Sequence, residues 1–225
     1  LQPRSDAKKR MKKYDKSEFM YSLLDGLQLA YKLVCNSLYG QVGASTSPIC
    51  MKELAASTTA VGRKMIYVAR DITLEHFPGS ECVYGDTDSI FIKFKTKGDT
   101  PVEKLKEAIT CGQEAADLVN KYCNKNLLQP QELEYEKTFL PLVLLTKKRY
   151  VGNKYEFDPE KIIEQTNMGV VLKRRDNSKI VKEIFQGVIN VIMSTNDLYK
   201  AREFYINSCK RLLKGEIRLD YLVTS

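Results

Sequence analysis

The chain has 225 residues and a mass of 25.7 kDa, with 43% hydrophobic and 28% charged residues. This is room for one large domain or two modest ones, and it excludes global disorder. Lys and Arg number 36 against 28 Asp and Glu, and the net charge of +8 points towards polyanions such as nucleic acid. The longest apolar run, Phe139 to Leu145, is far short of the roughly 20 residues a membrane-spanning helix needs, and Pro141 interrupts it. A membrane role is therefore not expected. The N-terminus is basic and polar, with no secretory pattern. It opens on Leu1 rather than Met, which reads as a fragment of a longer protein. Cys35, Cys50, Cys82, Cys111, Cys123 and Cys209 form no CxxC pair, and His76 is the single histidine. They read as reduced thiols of a cytosolic or nuclear protein, not as a zinc set.

Residues 1–16 carry Arg4, Lys8, Lys9, Arg10, Lys12 and Lys13, and read as a solvated helix start or loop. Residues 17–40 read as one helix. Leu24, Leu27, Tyr31, Val34 and Leu38 recur at steps of three and four, an apolar stripe facing a core. Gly40 and Gly43 punctuate its end. A second helix is expected from Met51 to about Glu75, stopped by His76-Phe77-Pro78-Gly79. Cys82–Tyr84 and Ile90–Phe94 predict a hairpin around the GDTD of residues 85–88. A third helix follows Pro101, from about Val102 to Tyr122. Glu132–Thr138 and Leu142–Leu145 read as two strands, the second apolar throughout and expected to be covered on both faces. Lys147–Tyr150 would continue that strand, and Tyr155–Phe157 would return. From Ser178 the pattern is helical again, with Ile180, Ile184, Val188 and Ile192 on one face. Asn196 to Lys214 adds a last helix. The fold class is α+β, with a helical tail that reads as a possible separate domain.

Four clusters carry chemistry. In Tyr84-Gly85-Asp86-Thr87-Asp88-Ser89 two carboxylates stand two apart at a turn. On extended backbone they would point the same way and repel, which a hard divalent cation relieves. A solvated Asx turn is the bland alternative. Ile90 and Phe91 occupy positions that exclude an EF-hand loop. Lys32, Asn36 and Tyr39 share a helix face about 120° from the apolar stripe. That face offers an ammonium, an amide and a ring, although an exposed amphipathic face would look the same. Lys147-Lys148-Arg149-Tyr150 sets three cations beside a ring, suited to a nucleic-acid backbone or simply to a solvated strand end. Glu134 and Glu136 are two more carboxylates at i and i+2, also compatible with the polar face of an edge strand.

Taken together these segments are more specific than any one of them. Lys32-xxx-Asn36-Ser37-x-Tyr39-Gly40, the YGDTDS of residues 84–89 and the LEYEKTFLPLVLLTKKRY of residues 133–150 occur in the order found in family B DNA polymerases, and the sequence resembles that family over about residues 17–200. Gly169 to Asn177, including Arg174 and Arg175, is similar to the lead-in to the family's thumb. Thr58 to Arg63 is similar to its TAxGR stretch. The wording is most like the polymerases of large nucleocytoplasmic DNA viruses.

The resemblance implies a right-hand polymerase fragment. Residues 1–44 would be the C-terminal fingers helix, 45–167 the palm with its antiparallel sheet and helices, and 168–225 the start of a helical thumb. The implied reaction is transfer of dNMP from a dNTP to a primer 3′-hydroxyl with two Mg²⁺ ions, for which Mn²⁺ substitutes. Asp86 and Asp88 would hold metal, with Glu136 an acidic neighbour and Glu134 a weaker candidate. Lys32, Asn36 and Tyr39 would bind dNTP. Lys147, Lys148, Arg149 and Tyr150 would hold primer–template DNA. A sliding clamp or other processivity factor is an implied partner, and the implied location is the nucleus or a cytoplasmic replication site. The family's other metal-site Asp, in a DxxSLYPS-type motif, is not found in these 225 residues, so the isolated chain is expected to be inactive. Three alternatives remain: a DNA-binding polymerase relic, another palm polymerase such as a reverse transcriptase, and a plain basic binding module. Intact Asp86, Asp88, Lys32 and Asn36 disfavour a relic. Thr87 between the aspartates disfavours the adjacent pair typical of reverse transcriptases. A basic binding module gives no reason for the GDTD hairpin.

Overall fold

The computed structural model describes residues 2–126, 131–173 and 176–224; Arg174 and Arg175 of the thumb-like lead-in lie outside them. The chain divides into two compact units, residues 1–67 and 68–225.

The first unit is helical. It comprises α1 (Gln2–Met11), α2 (Phe19–Gly43) and the beginning of α3 (Lys52–His76). The two long helices lie close to their predicted ranges. Arg4 Nε donates to Gln28 Oε1 at 3.2 Å, and Ala7 and Leu24 are the buried residues of α1 and α2. The expectation that the whole α2 stripe is covered is not met: Val34 is 68% and Leu38 59% exposed. Leu24 lies on the half of α2 that α1 can reach, since α1 is only 10 residues long. The sharp turn after α2 is closed by Met51 N–H donating to Val42 C=O at 2.8 Å.

Among the described residues the second unit holds two antiparallel sheets and three further α-helices. Strands β1 (Glu81–Asp86) and β2 (Ser89–Lys93) pair as predicted, with a register shift between Cys82 and Tyr84. Helix α4 (Pro101–Asn126) starts at a capping box: Thr100 Oγ1 accepts the Glu103 N–H, and Glu103 Oε2 accepts the Thr100 N–H. These backbone donors hold the Glu103 carboxyl below its usual range. Its buried stripe is Leu105, Ile109, Ala116, Val119 and Cys123. Strands β3 (Thr138–Thr146), β4 (Arg149–Tyr155) and β5 (Glu164–Met168) form the second sheet in that order.

Four expectations for this region are corrected. Glu132–Lys137 is extended but is not a strand. Gln131, Leu133, Tyr135 and Lys137 face inward in alternation, yet the hydrogen bonds come from α4. Asn120 Nδ2 donates to Leu133 C=O at 2.9 Å, and Leu133 N–H donates to Asn120 Oδ1 at 2.7 Å. A Cβ at Gly112 would lie 2.7 Å from Tyr135 Cδ2, so that glycine makes the slot for the ring. The Leu142–Leu145 run is not covered on both faces, because Leu144 and Leu145 are exposed. Lys147 and Lys148 do not prolong β3; they form the β3–β4 turn. The return strand is β4, not Tyr155–Phe157, and β5 has no predicted counterpart. β5 is polar (EQTNM), so its sequence lacks the apolar alternation that marks a half-buried strand.

Helices α5 (Lys179–Thr195) and α6 (Leu198–Leu213) close the unit. Ile189 of α5 joins Val151 and Val170 in one buried cluster. A Cβ at Gly187 would meet the Phe204 ring at 2.2 Å, so α5 and α6 touch through this pair. Asn196 takes the left-handed C-cap of α5, and Asp197 caps α6 by accepting the Tyr199 and Lys200 N–H groups.

Candidate functional site

The acidic hairpin is set by local bonds. Asp86 pairs with Ser89 across a two-residue turn of Thr87 and Asp88, and Thr87 has φ of 47°. Extended-strand parity therefore does not apply to Asp86 and Asp88, because Asp88 belongs to the turn itself. Thr87 Oγ1 donates to Asp86 Oδ1 at 3.1 Å, Ser89 Oγ donates to Asp86 C=O at 3.1 Å, and Asp88 N–H donates back to the same carbonyl.

The basic turn comes to meet it. Lys148 Nζ donates to Asp86 Oδ1 at 2.5 Å, and Lys148 N–H donates to Tyr84 Oη at 2.8 Å. Tyr84 and Asp86 stand two apart on β1, so one face of that strand grips both the backbone and the side chain of Lys148. The Lys148 ammonium bonded to Asp86 holds that carboxyl below the usual carboxylate range, with Thr87 and Tyr84 adding to the effect against desolvation. The same bond raises the Lys148 ammonium above its ordinary value, and Asp88 contributes a smaller field at that nitrogen.

Beneath this pair lies an aromatic cluster. Tyr84, Phe91, Phe139 and Tyr150 have ring centroids 5.3 to 6.3 Å apart, and Phe91 stacks on Phe139 with planes 2° apart. These rings bring the two sheets together and fix the hairpin against the β3–β4 turn. Tyr150 is 6% exposed, and burial pushes its phenol up.

The four residues of the basic turn thus do four different things. Lys147 is exposed in the turn, Lys148 meets Asp86, and Tyr150 is buried. Arg149 lines a cavity of about 270 Å³ with Gly169, Val170, Asp176 and Asn177. Glu136 pairs with Lys137 at 2.7 Å, and its field is felt at Tyr150 and Lys154. Glu134 is exposed on the same alternation. Lys32, Asn36 and Tyr39 are all exposed on α2 at the predicted spacing, in the first unit, whereas the hairpins lie in the second.

Sequence reasoning missed two supports of the site. Tyr84 was legible only as part of a motif, although a tyrosine two residues before an aspartate on one strand shares its face. Gly169 stood out only as the first residue of the thumb-like lead-in, with nothing to link it to the turn, and its place is at Lys148 C=O, where a Cβ would sit 2.2 Å away.

Over residues 1–224 the sequence matches DNA polymerase family B. The chain belongs to this family. Family B relatives include a DNA polymerase of Pyramimonas orientalis virus, 49% identical over 92% of this chain, and one of Paramecium bursaria Chlorella virus NY2A, 36% identical over 99%. A DNA polymerase delta catalytic subunit of Oryza sativa subsp. japonica is 34% identical over 96%. This chain spans 17, 24 and 20% of those relatives' lengths. Among solved structures, a family B DNA polymerase of the hyperthermophilic archaeon Pyrobaculum calidifontis aligns with a TM-score of 0.61 at 25% identity, covering 98% of this chain and 25% of that one. The α+β fold expected for a family B fragment is thus the fold found. Among the described residues no helix is long and apolar enough to cross a membrane.

Two carboxylates are a partial donor set for a hard cation. Among the described residues no group of three or more His, Cys, Asp or Glu is placed to hold a metal. Mg²⁺ takes one or two carboxylates and keeps water or substrate phosphate as its other ligands, so Asp86 and Asp88 fit this role.

Proposed function

We propose that this chain is the part of a DNA-directed DNA polymerase that carries one half of the catalytic site, and that its parent transfers dNMP to a primer 3′-hydroxyl during DNA replication. The observation that carries this reading is the bond between Asp86 of the GDTD hairpin and Lys148 of the KKRY turn, in a family B chain. It joins the two motifs of the expected metal and DNA sites into one surface.

In this reading Asp88 and Asp86 hold the metal, and Asp86 shares its charge with Lys148. Mg²⁺, when bound, supplies Lewis-acid chemistry at the primer hydroxyl and at the phosphate. Lys148 places a cation beside Asp86 and the primer end. Lys147 and Arg149 give further charge to the duplex backbone, and Tyr150 anchors the turn from below. Such contacts position DNA without reading sequence. Lys32 neutralises the dNTP triphosphate, Asn36 lines the same pocket, and Tyr39 lies against the nascent base pair. Glu136 is an acidic neighbour of the metal site, its charge shared with Lys137. Residues 1–44 serve as fingers, 45–167 as palm and 168–225 as thumb. A sliding clamp is the expected processivity partner of the parent.

The test is primer extension by the full-length parent with Mg²⁺ and dNTPs, wild type beside Asp88→Asn, with duplex binding measured in parallel. Binding retained and extension lost is the expected result. Binding by both proteins with extension by neither would turn the reading into that of a DNA-binding relic. The isolated 225 residues are expected to bind duplex and extend nothing.

A further inference from the structure

Lys148 is an unusual residue to find at a positive φ of 59°. A lysine there has no glycine-like freedom, and the conformation costs about 1 kcal/mol or more. Such a conformation persists where its surroundings over-determine it. Here three contacts do so. Tyr84 Oη accepts the Lys148 N–H at 2.8 Å. Asp86 takes the ammonium. Gly169, itself at φ of 62°, lies so close to Lys148 C=O that a Cβ would stand 2.2 Å from that oxygen and 3.3 Å from Arg149 Cγ. Met168, just before it, pairs with Tyr150 across β4 and β5. The residue after β5 is therefore pressed against the Lys148 carbonyl, while Tyr84 of β1 holds the Lys148 N–H.

We infer that Tyr84 and Gly169 are positioning residues of the site: they hold Lys148 at its N–H and at its C=O and so aim its ammonium at Asp86. This rests on the polymerase reading above, because the reaction is what Lys148 serves. Neither residue touches substrate in this role. Tyr84 acts through a hydroxyl alone. Gly169 acts through the absence of a side chain, since any Cβ must push the Lys148 carbonyl away and turn the peptide. A displacement of this size at a charge facing the reacting groups is expected to lower the rate by about ten- to a hundredfold.

The experiment uses the full-length parent polymerase. Tyr84→Phe, Gly169→Ala and Lys148→Met are made singly, and the first two also in the Lys148→Met background. Single-turnover extension, dNTP KM and melting temperature are measured for each. The expected result is that Tyr84→Phe and Gly169→Ala each slow extension about tenfold and leave dNTP KM within about twofold. In the Lys148→Met background each adds less than about twofold. A structural role elsewhere would not give this non-additivity. Losses that multiply with that of Lys148→Met overturn the clamp, and so does a Lys148→Met enzyme as fast as wild type. Tyr84→Phe introduces no clash, so it carries the test if Gly169→Ala does not fold. Failure of the polymerase reading looks different: the wild-type parent itself does not extend a primer.

Discussion

The hairpin of β1 and β2 and the hairpin of β3 and β4 invite comparison. Each ends in a two-residue turn, and each turn holds a non-glycine residue at positive φ, Thr87 at 47° and Lys148 at 59°. One turn is acidic and the other basic, and they meet at Asp86 and Lys148. The bonds that hold them are of different kinds. Apart from the Lys148 bond that the two turns share, the contacts that shape the acidic turn run between residues 86 and 89. The basic turn is braced by Tyr84 and Asp86, more than 60 positions upstream, and by Gly169, 21 downstream. A site built this way has one partner that forms its own geometry and one that takes its geometry from the rest of the fold.

This contrast sets the order of expected effects. The largest is chemical: Asp88→Asn in the full-length parent is expected to slow extension at least about a thousandfold with duplex affinity unchanged, read by single-turnover assay. Next comes the element common to both hairpins. Phe91→Ala removes the ring that touches Tyr84, Phe139 and Tyr150, and urea unfolding of the 225-residue chain should show a loss of about 2–4 kcal/mol. Then the two turns separate. Tyr84→Phe takes away the long-range acceptor of the Lys148 N–H and should cost about 1 kcal/mol in the same measurement. Ser89→Ala removes one local bond at an already self-sufficient turn and should cost under about 0.5 kcal/mol.

The smallest effect is electrostatic and depends on pH. Asp86 has a folded pKa below its unfolded one, so its pairing stabilises the fold above the unfolded carboxylate value and is lost as pH falls through the folded value. Lys148 has a raised folded pKa, so its contribution is complete below the unfolded lysine value and is lost as pH rises through the folded one. Thermal unfolding of wild type against Lys148→Met should therefore differ between about pH 5 and 10, and the two curves should converge at both extremes. A difference that persists at pH 2 would mean that Lys148 stabilises by packing and not by charge.

The same contrast explains what the residues alone could tell. The GDTD hairpin, α2, α3, α4, α5 and α6 all stand close to where periodicity, proline and glycine put them, because their determinants are local. The basic turn was misread as a strand end because its direction depends on Tyr84 and Gly169, and no spacing connects residues 84, 148 and 169. β5 was missed because a polar strand has no apolar period. The segment at 132–137 was given the right alternation but read as a strand, since one side-chain amide does the work of a neighbouring strand. For the candidate site, the residue types were visible in the motifs. That Asp86 is bonded to Lys148, leaving Asp88 at the tip of the turn, was not.

That amide has one more consequence. An alternation of covered and exposed residues is unchanged when a chain slides by two, so hydrophobic burial alone would let residues 131–137 dock on α4 in several offsets of nearly equal energy. The carboxamide of Asn120 recognises a single peptide unit, at Leu133, and the slot over Gly112 admits a single ring, that of Tyr135. Together they work as an index mark. The position of β3 along the sheet, and with it the point where the chain turns at Lys147, is counted off from a contact some 14 residues earlier in the sequence.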